Sequence, residues 1–216
     1  FGERVDLESM PDFSDRYFLT TTTYGTNIVI FNNFDFAVFN CERNNWHQMN
    51  KDNFHPTISP NLLSYDNNSI YMIGGKDCTI SEKYGKLLQH YDVRQSKWMQ
   101  LPQMKYARCW SASCIHNGNL YVSGGDYLTY HENYNVEYFD IRAGKWNEFE
   151  TSMPKSKMKH SLVVCNNQLW FFGGIKYGFE ASNDSTWFSY DLDTCSWSNV
   201  FSLPTSNRIL DVVVEM

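Results

Sequence analysis

The sequence predicts an all-β protein assembled from a four-stranded antiparallel unit repeated about every 50 residues. Three observations lead there. An apolar run ending in Gly-Gly occurs as "IYMIGG" (70–75), "LYVSGG" (120–125) and "LWFFGG" (169–174), with first glycines 50 and 49 residues apart. Each doublet is followed by an aromatic–acid pair, Tyr91-Asp92, Phe139-Asp140 or Tyr190-Asp191. Seven residues past each aromatic stands a tryptophan, Trp98, Trp146 or Trp197. One Gly-Gly alone carries no weight; a compound frame at a fixed period does.

Within the third unit the pattern predicts strands over 109–116, 119–123, 134–140 and 145–149. The first two flank "HNGN", and Asn-Gly is a strong hairpin signal. The matching turns "YDNNS" (65–69) and "CNNQ" (165–168) are also rich in residues that accept positive φ. The last two strands flank "DIRAGKW", with Gly144 as turn residue. The run before each doublet is nearly all apolar, as in a strand buried on both faces. Such a unit is the blade of a β-propeller.

The blades are predicted at about 17–50, 57–102, 108–150 and 158–202, with a further apolar strand over 207–216. The first is a worn copy. Phe39 and Trp46 keep the seven-residue spacing, while Asn32 and Asn33 stand where the glycines belong. Asn tolerates positive φ, so the same backbone is expected there. Four blades and one strand point to an incomplete ring, the alternative being an unusually small ring that the last strand helps to close.

Composition sets limits on function. Aromatics make up 17% of the chain, which favours strands. The net charge of −6 argues against a general nucleic-acid binder, which needs a basic face. The basic stretch "KSKMKH" (155–160) reads as a solvated loop. Six cysteines form no CxxC and no zinc-type cluster, so they read as reduced thiols of a cytoplasmic protein. No apolar stretch is long enough to span a membrane as a helix.

Residues repeated in every blade read as structural. Gly74, Gly75, Gly124, Gly125, Gly173 and Gly174 end buried strands where a turn or a neighbouring backbone leaves no room for a side chain. A phosphate cradle would need a helix behind the glycines, and a strand follows instead. Trp46, Trp98, Trp146 and Trp197 pack with Tyr91, Phe139 and Tyr190 rather than with a ligand. Asp92, Asp140 and Asp191 begin turns and bond the following backbone. The six histidines are scattered, and no nucleophile elbow, P-loop or HExxH motif occurs. The expectation is no catalytic residue, no metal and no cofactor.

The doublet, the aromatic–acid pair and the tryptophan resemble kelch repeats over about residues 10–216. "VEYFDIRAGKW" (136–146) is most similar to the Kelch-like (BTB–Kelch) family, whose repeats run V-E-x-Y-D-P before a Trp. "MKYARCW" matches the Met-x-x-x-Arg segment that leads into each blade, and "MPDFSDR" (10–16) resembles it with five residues between its Met and Arg. The chain departs from the pattern: the Pro is missing, Arg is lost before the second and fourth blades, and the first blade lacks its glycines.

The resemblance implies a protein-interaction module: the substrate-recognition propeller of an adaptor for a cullin-RING E3 ubiquitin ligase. The BTB and BACK regions that contact cullin have no counterpart in these residues. Alternatives are an actin- or cytoskeleton-associated kelch protein and, less favoured, a copper enzyme similar to galactose oxidase. No nucleic-acid or membrane partner is expected. In this family the partner meets the face bearing the doublet loops and the inter-blade segments. The positions expected to contact it are Arg108 first, with Lys105, Tyr106, Tyr127, Tyr130, His131, Lys176 and Tyr177.

Overall fold

A computed structural model describes residues 9, 19–32, 35–77, 85–127, 131–176 and 182–202. The described residues contain strands and turns and no helix. Four antiparallel sheets follow one another along the chain. Blade 1 comprises Leu19–Tyr24, Asn27–Asn32, Asp35–Asn40 and Asn45–His47. Blade 2 comprises Asn61–Tyr65, Ser69–Ile73, Leu88–Asp92 and Lys97–Leu101. Blade 3 comprises Ala112–His116, Asn119–Ser123, Val136–Asp140 and Lys145–Glu148. Blade 4 comprises Ser161–Cys165, Gln168–Phe172, Thr186–Asp191 and Ser196–Trp197, with Phe201–Ser202 also paired to its third strand. Strands lie side by side in sequence order within every blade.

The tight turns form where the sequence permits left-handed backbone. The hairpins between first and second strands turn on Asp66 and Asn67, Asn117 and Gly118, and Asn166 and Asn167, all at φ between +47° and +73°. The turns before the last strands use Asn44, Ser96, Gly144 and Cys195 at φ +50° to +65°. There Asp92 Oδ1 accepts from the Arg94 and Gln95 amides, Asp140 Oδ1 from Ala143 and Asp191 Oδ1 from Thr194. Asn40 does the same for Arg43 in blade 1. Asn32, by contrast, is the last residue of an extended strand, paired with Asp35. The expected doublet-like backbone is not formed at Asn32, which remains in the strand ladder opposite Asp35; Asn33 lies outside the described residues, as does 207–216.

Packing occurs between blades. The first strands of blades 1 to 4 lie next to one another in that order. One core joins Val29, Phe31, Phe36 and Val38 of blade 1 to Leu62, Ile70, Met72, Tyr91 and Trp98 of blade 2. A second joins Tyr71, Ile73, Leu88 and Met104 to Leu120, Val122 and Phe139. A third joins Tyr121 and Val136 to Leu169, Phe171, Phe188 and Tyr190. In blade 2, Ile70 and Met72 face backward while Tyr71 and Ile73 face forward. A second strand therefore feeds two cores at once, which is why its sequence is apolar throughout.

The aromatic frame is a cross-strand pair in every blade: Phe39 with Trp46, Tyr91 with Trp98, Phe139 with Trp146 and Tyr190 with Trp197, ring centroids 4.7–5.3 Å apart. Trp146 Nε1 donates to Pro102 O and Trp197 Nε1 to Thr151 Oγ1, each on the segment leading in from the preceding blade. Burying such rings is worth several kcal/mol apiece. Past blade 4, Trp170, Phe172, Trp187 and Phe201 form a second aromatic group on the side of the sheet opposite Leu169 and Phe171.

Candidate protein-interaction face

Antiparallel pairing sets the start of each first strand beside the end of its second: Asn61 opposes Ile73, Ala112 opposes Ser123 and Ser161 opposes Phe172. The doublets and the segments that lead into the blades therefore share one end of the molecule. The two glycines divide the work there. The first closes its own blade, since Gly74 N–H donates to Leu87 O and Gly124 N–H to Asn135 O. The second reaches the next blade: Gly75 N–H donates to Arg108 O at 2.8 Å and Gly125 N–H to Lys157 O at 2.9 Å. A Cβ on Gly74 would meet Arg108 O at 2.7 Å, and one on Gly124 would overlap Lys157 O. No side chain fits between blades at this clasp.

Beneath it lies a buried polar site. Arg108 is fully buried and donates to Glu137 Oε2 through Nη2 (2.8 Å) and Nε (3.1 Å). Its Nη1 donates to Gly124 O and Asn135 O. Glu137 also accepts from the Lys105 amide. Every charge is thus paired and hydrogen-bonded, as burial requires. In blade 4 the same station holds Lys157, whose Nζ donates to Gly173 O, Thr186 O and Asp184 Oδ2. Phe188 occupies the place of Glu137, and the ammonium lies 5.4 Å from its ring centroid. Burial pushes the Asp184 carboxyl up, but Thr186 and Lys157 outweigh it and hold it below the usual carboxylate range. In blade 2, Gln89 takes the acid's place and makes a two-way bridge to the His55 backbone at 2.7 and 2.8 Å.

Two sequence expectations are corrected here. Arg108 exposes no surface to a partner: Glu137 and two carbonyls hold it inside. The stretch 155–160 is not a solvated loop, since Lys157, Met158 and His160 are buried and Lys159 alone is exposed. Lys105 does reach the surface, where it pairs with Glu148, and Tyr106 beside it is half-buried. The backbone of Tyr127 pairs with that of His131 in the short ribbon that follows the doublet, and in the equivalent ribbon of blade 4 the backbone of Lys176 pairs with that of Ser182. Tyr130 and Tyr177 lie outside the described residues.

Three residues at this end escaped the sequence reading. Trp110 and Lys159 each stand two residues after the clasp positions Arg108 and Lys157, Ser59 stands at the matching place in blade 2, and all three hold φ of +50° to +55°. With Leu19, Thr20, Pro60, Asn61 and Ser111 they line an open basin of about 310 Å³ among the first strands. Nothing in their residue types announces left-handed backbone; only alignment on the doublets would have brought them together.

Among the described residues no group of three or more His, Cys, Asp or Glu is placed to hold a metal. No described helix is long and apolar enough to cross a membrane. Cys41, Cys109, Cys114, Cys165 and Cys195 are free thiols.

Four-stranded sheets clasped through glycine doublets, with an aromatic–Trp pair in each blade, define a kelch-type β-propeller module. Residues 62–209 match the KLHDC2/KLHL20/DRC7 Kelch-repeats domain, and the chain belongs to this Kelch-repeat family. It is 33% identical over 114 residues to Kelch-like protein 40 of Xenopus tropicalis, covering 53% of this chain and 18% of that protein. To Kelch-like protein 41b of Danio rerio it is 31% identical over 140 residues, covering 63% and 22%. Beta-scruin of Limulus polyphemus is 28% identical over 116 residues, covering 52% and 13%. The match thus spans about a fifth or less of these relatives' length. The solved structure of YjhT superposes with a TM-score of 0.73 at 14% identity, covering 88% of this chain and 66% of that one.

Proposed function

We propose that this chain recognises a protein partner through the doublet end of the propeller, as the substrate-recognition part of a Kelch-like adaptor for a cullin-RING ubiquitin ligase. One observation carries the choice of face. The polar groups repeated at that end are consumed inside the fold, as Arg108–Glu137 and Lys157–Asp184. The groups left at the surface, Lys105, Tyr106, Trp110 and Lys159, differ from blade to blade on a constant frame. Variable groups on a rigid scaffold are where recognition is built, and Tyr, Trp and Arg dominate binding hot spots. The similarity to Kelch-like proteins 40 and 41b supports the adaptor role. Cullin contact would rest on regions outside this chain.

The test is affinity capture from cell extract with the wild-type chain beside a Lys105→Glu/Tyr106→Ala variant of equal thermal stability. Selective loss of captured proteins supports the face; an identical captured set overturns it. For the ligase step, depletion of the adaptor is expected to lengthen the lifetime of a captured protein, and an unchanged lifetime counts against it. A second reading, an actin- or cytoskeleton-associated protein, is supported by the similarity to Beta-scruin. Co-sedimentation with purified actin filaments separates the two.

A further inference from the structure

We infer that the basin at the centre of the doublet end takes an acidic side chain of the partner, with Lys159 as its counter-ion and Trp110 as its apolar wall. The inference rests on the interaction reading above and adds a chemical class to it. Among the described residues, Lys159 is the one charged side chain lining the basin. It is exposed and forms no ion pair with any of them; its Nζ lies 4.7 Å from the Trp110 ring centroid. A cation held over an aromatic face keeps its outer hydrogens free for a ligand. The chain carries a net charge of −6, so such a cation set among neutral residues is a local exception.

The surroundings are built to hold that pair in place. The Lys159 amide donates to Trp110 O at 2.8 Å, and Asn61 Nδ2 donates to Ser111 Oγ at 2.8 Å, so three successive blades are tied together at the rim. Trp110 sits at φ +55° and Lys159 at +50°, a conformation that costs energy for any residue with a Cβ and most for a bulky one. Strain of this kind clusters at ligand clamps. Two donors beside the basin, Trp110 Nε1 and Ser59 Oγ, are buried without a partner among the described residues. A cation whose outer hydrogens are free favours an oxygen anion as its partner. Leu19, Pro60 and the Trp110 ring supply carbon surface for the stem of an Asp or Glu.

The experiment selects a phage-displayed library of random dodecapeptides on the immobilised full chain. Wild type is expected to enrich peptides with an Asp or Glu that is essential for binding. Lys159→Glu is expected to weaken those peptides by at least about tenfold, the worth of one charge-assisted contact, and to enrich Lys- or Arg-bearing peptides instead. Trp110→Gly relieves the backbone strain and, once its thermal stability is matched to wild type, is expected to weaken the same peptides. Peptides that bind with no acidic requirement, or that ignore both substitutions but are lost with Lys105→Glu/Tyr106→Ala, overturn the inference and leave the interaction face standing. If no peptide is enriched, the inference falls together with the face.

Discussion

Lys157 stands in blade 4 where Arg108 stands in blade 3. Each follows a buried methionine by four residues, Met153 or Met104. Each donates a side-chain hydrogen bond to the first doublet glycine of its own blade, Gly173 or Gly124, at 2.7–2.8 Å. Each offers its backbone carbonyl to the second glycine of the blade before. One cation therefore stitches its own blade shut while its carbonyl holds the previous one.

Removing either cation strands a buried acid. Arg108→Ala is expected to destabilise the protein by about 3–5 kcal/mol, the usual result of breaking a buried pair. Arg108→Lys is expected to lose clearly less, because Lys157 shows that an ammonium can serve this station. Urea-denaturation midpoints with unchanged slopes decide the matter. Equal losses for the two variants would mean that the planar guanidinium itself is required.

Two glycines at positive φ separate strain from crowding. A Cβ added at Gly144 (φ +65°) would meet nothing within 4 Å, whereas one at Gly124 (φ +56°) would run into Lys157 O. Gly144→Ala is expected to cost about 1–2 kcal/mol, the penalty of left-handed backbone alone. Gly124→Ala adds overlap with the next blade and is expected to cost at least about 1–3 kcal/mol more. Thermal unfolding of both variants gives the comparison. If the two fall equally, the inter-blade clasp contributes nothing.

His160 makes stability depend on pH. It is buried, its Nε2 hydrogen-bonds Ser123 Oγ, and its Nδ1 has no hydrogen-bond partner among the described residues. Burial first, then the Lys157 and Arg108 charges, push its pKa down to about 3, with Asp184 opposing. The folded value lies below the unfolded one, so the unfolded chain binds more protons between about pH 6.5 and 3. Stability is fully present above pH 6.5 and falls as pH drops through that window, by at most about 1.4 kcal/mol per unit. His160→Gln is expected to flatten the dependence between pH 6.5 and 4.5, above the range where carboxylates titrate strongly. A variant profile parallel to wild type would exclude His160 as the source.

Trp98 has no exposed surface and touches Tyr91 of its own blade, Phe54 of the segment leading in and, across the blade boundary, Phe36 of blade 1. Trp98→Ala is expected to cost about 3–5 kcal/mol. Trp46, half-buried at the matching place in blade 1, is expected to cost less. Chemical denaturation of the two variants checks the order.

What could be read from the sequence was whatever repeats. The Trp–aromatic pairs and the Asp-started turns follow from local spacing, and the structure forms them in every blade where the frame occurs. The partner of a buried charge is not local. Glu137 lies 29 residues after Arg108, and Asp184 lies 27 after Lys157. Lys157 sits among basic neighbours that look solvated, and its station shows only when Met153-x-x-x-Lys157 is aligned on Met104-x-x-x-Arg108. Family resemblance ranked Arg108 first for binding, whereas the fold uses it internally. Ser59, Trp110 and Lys159 show no common signal in their residue types, because what they share is a backbone angle and a place relative to the doublets.

The clasp between a doublet and the segment that follows has a consequence for how the molecule comes apart. Every such bond described above runs from one blade to its immediate successor, and each of the three cores is likewise shared by two adjacent blades. Among the described residues the four blades thus behave as a one-dimensional array with nearest-neighbour coupling, in which the cooperative unit is the junction rather than the sheet. In these 216 residues by themselves, loss is expected to enter at blades 1 and 4, which have one described neighbour each, and to travel inward junction by junction. Amide exchange would then rank blades 2 and 3 as the slowest to open, with the Arg108–Glu137 site among the last structure to dissolve.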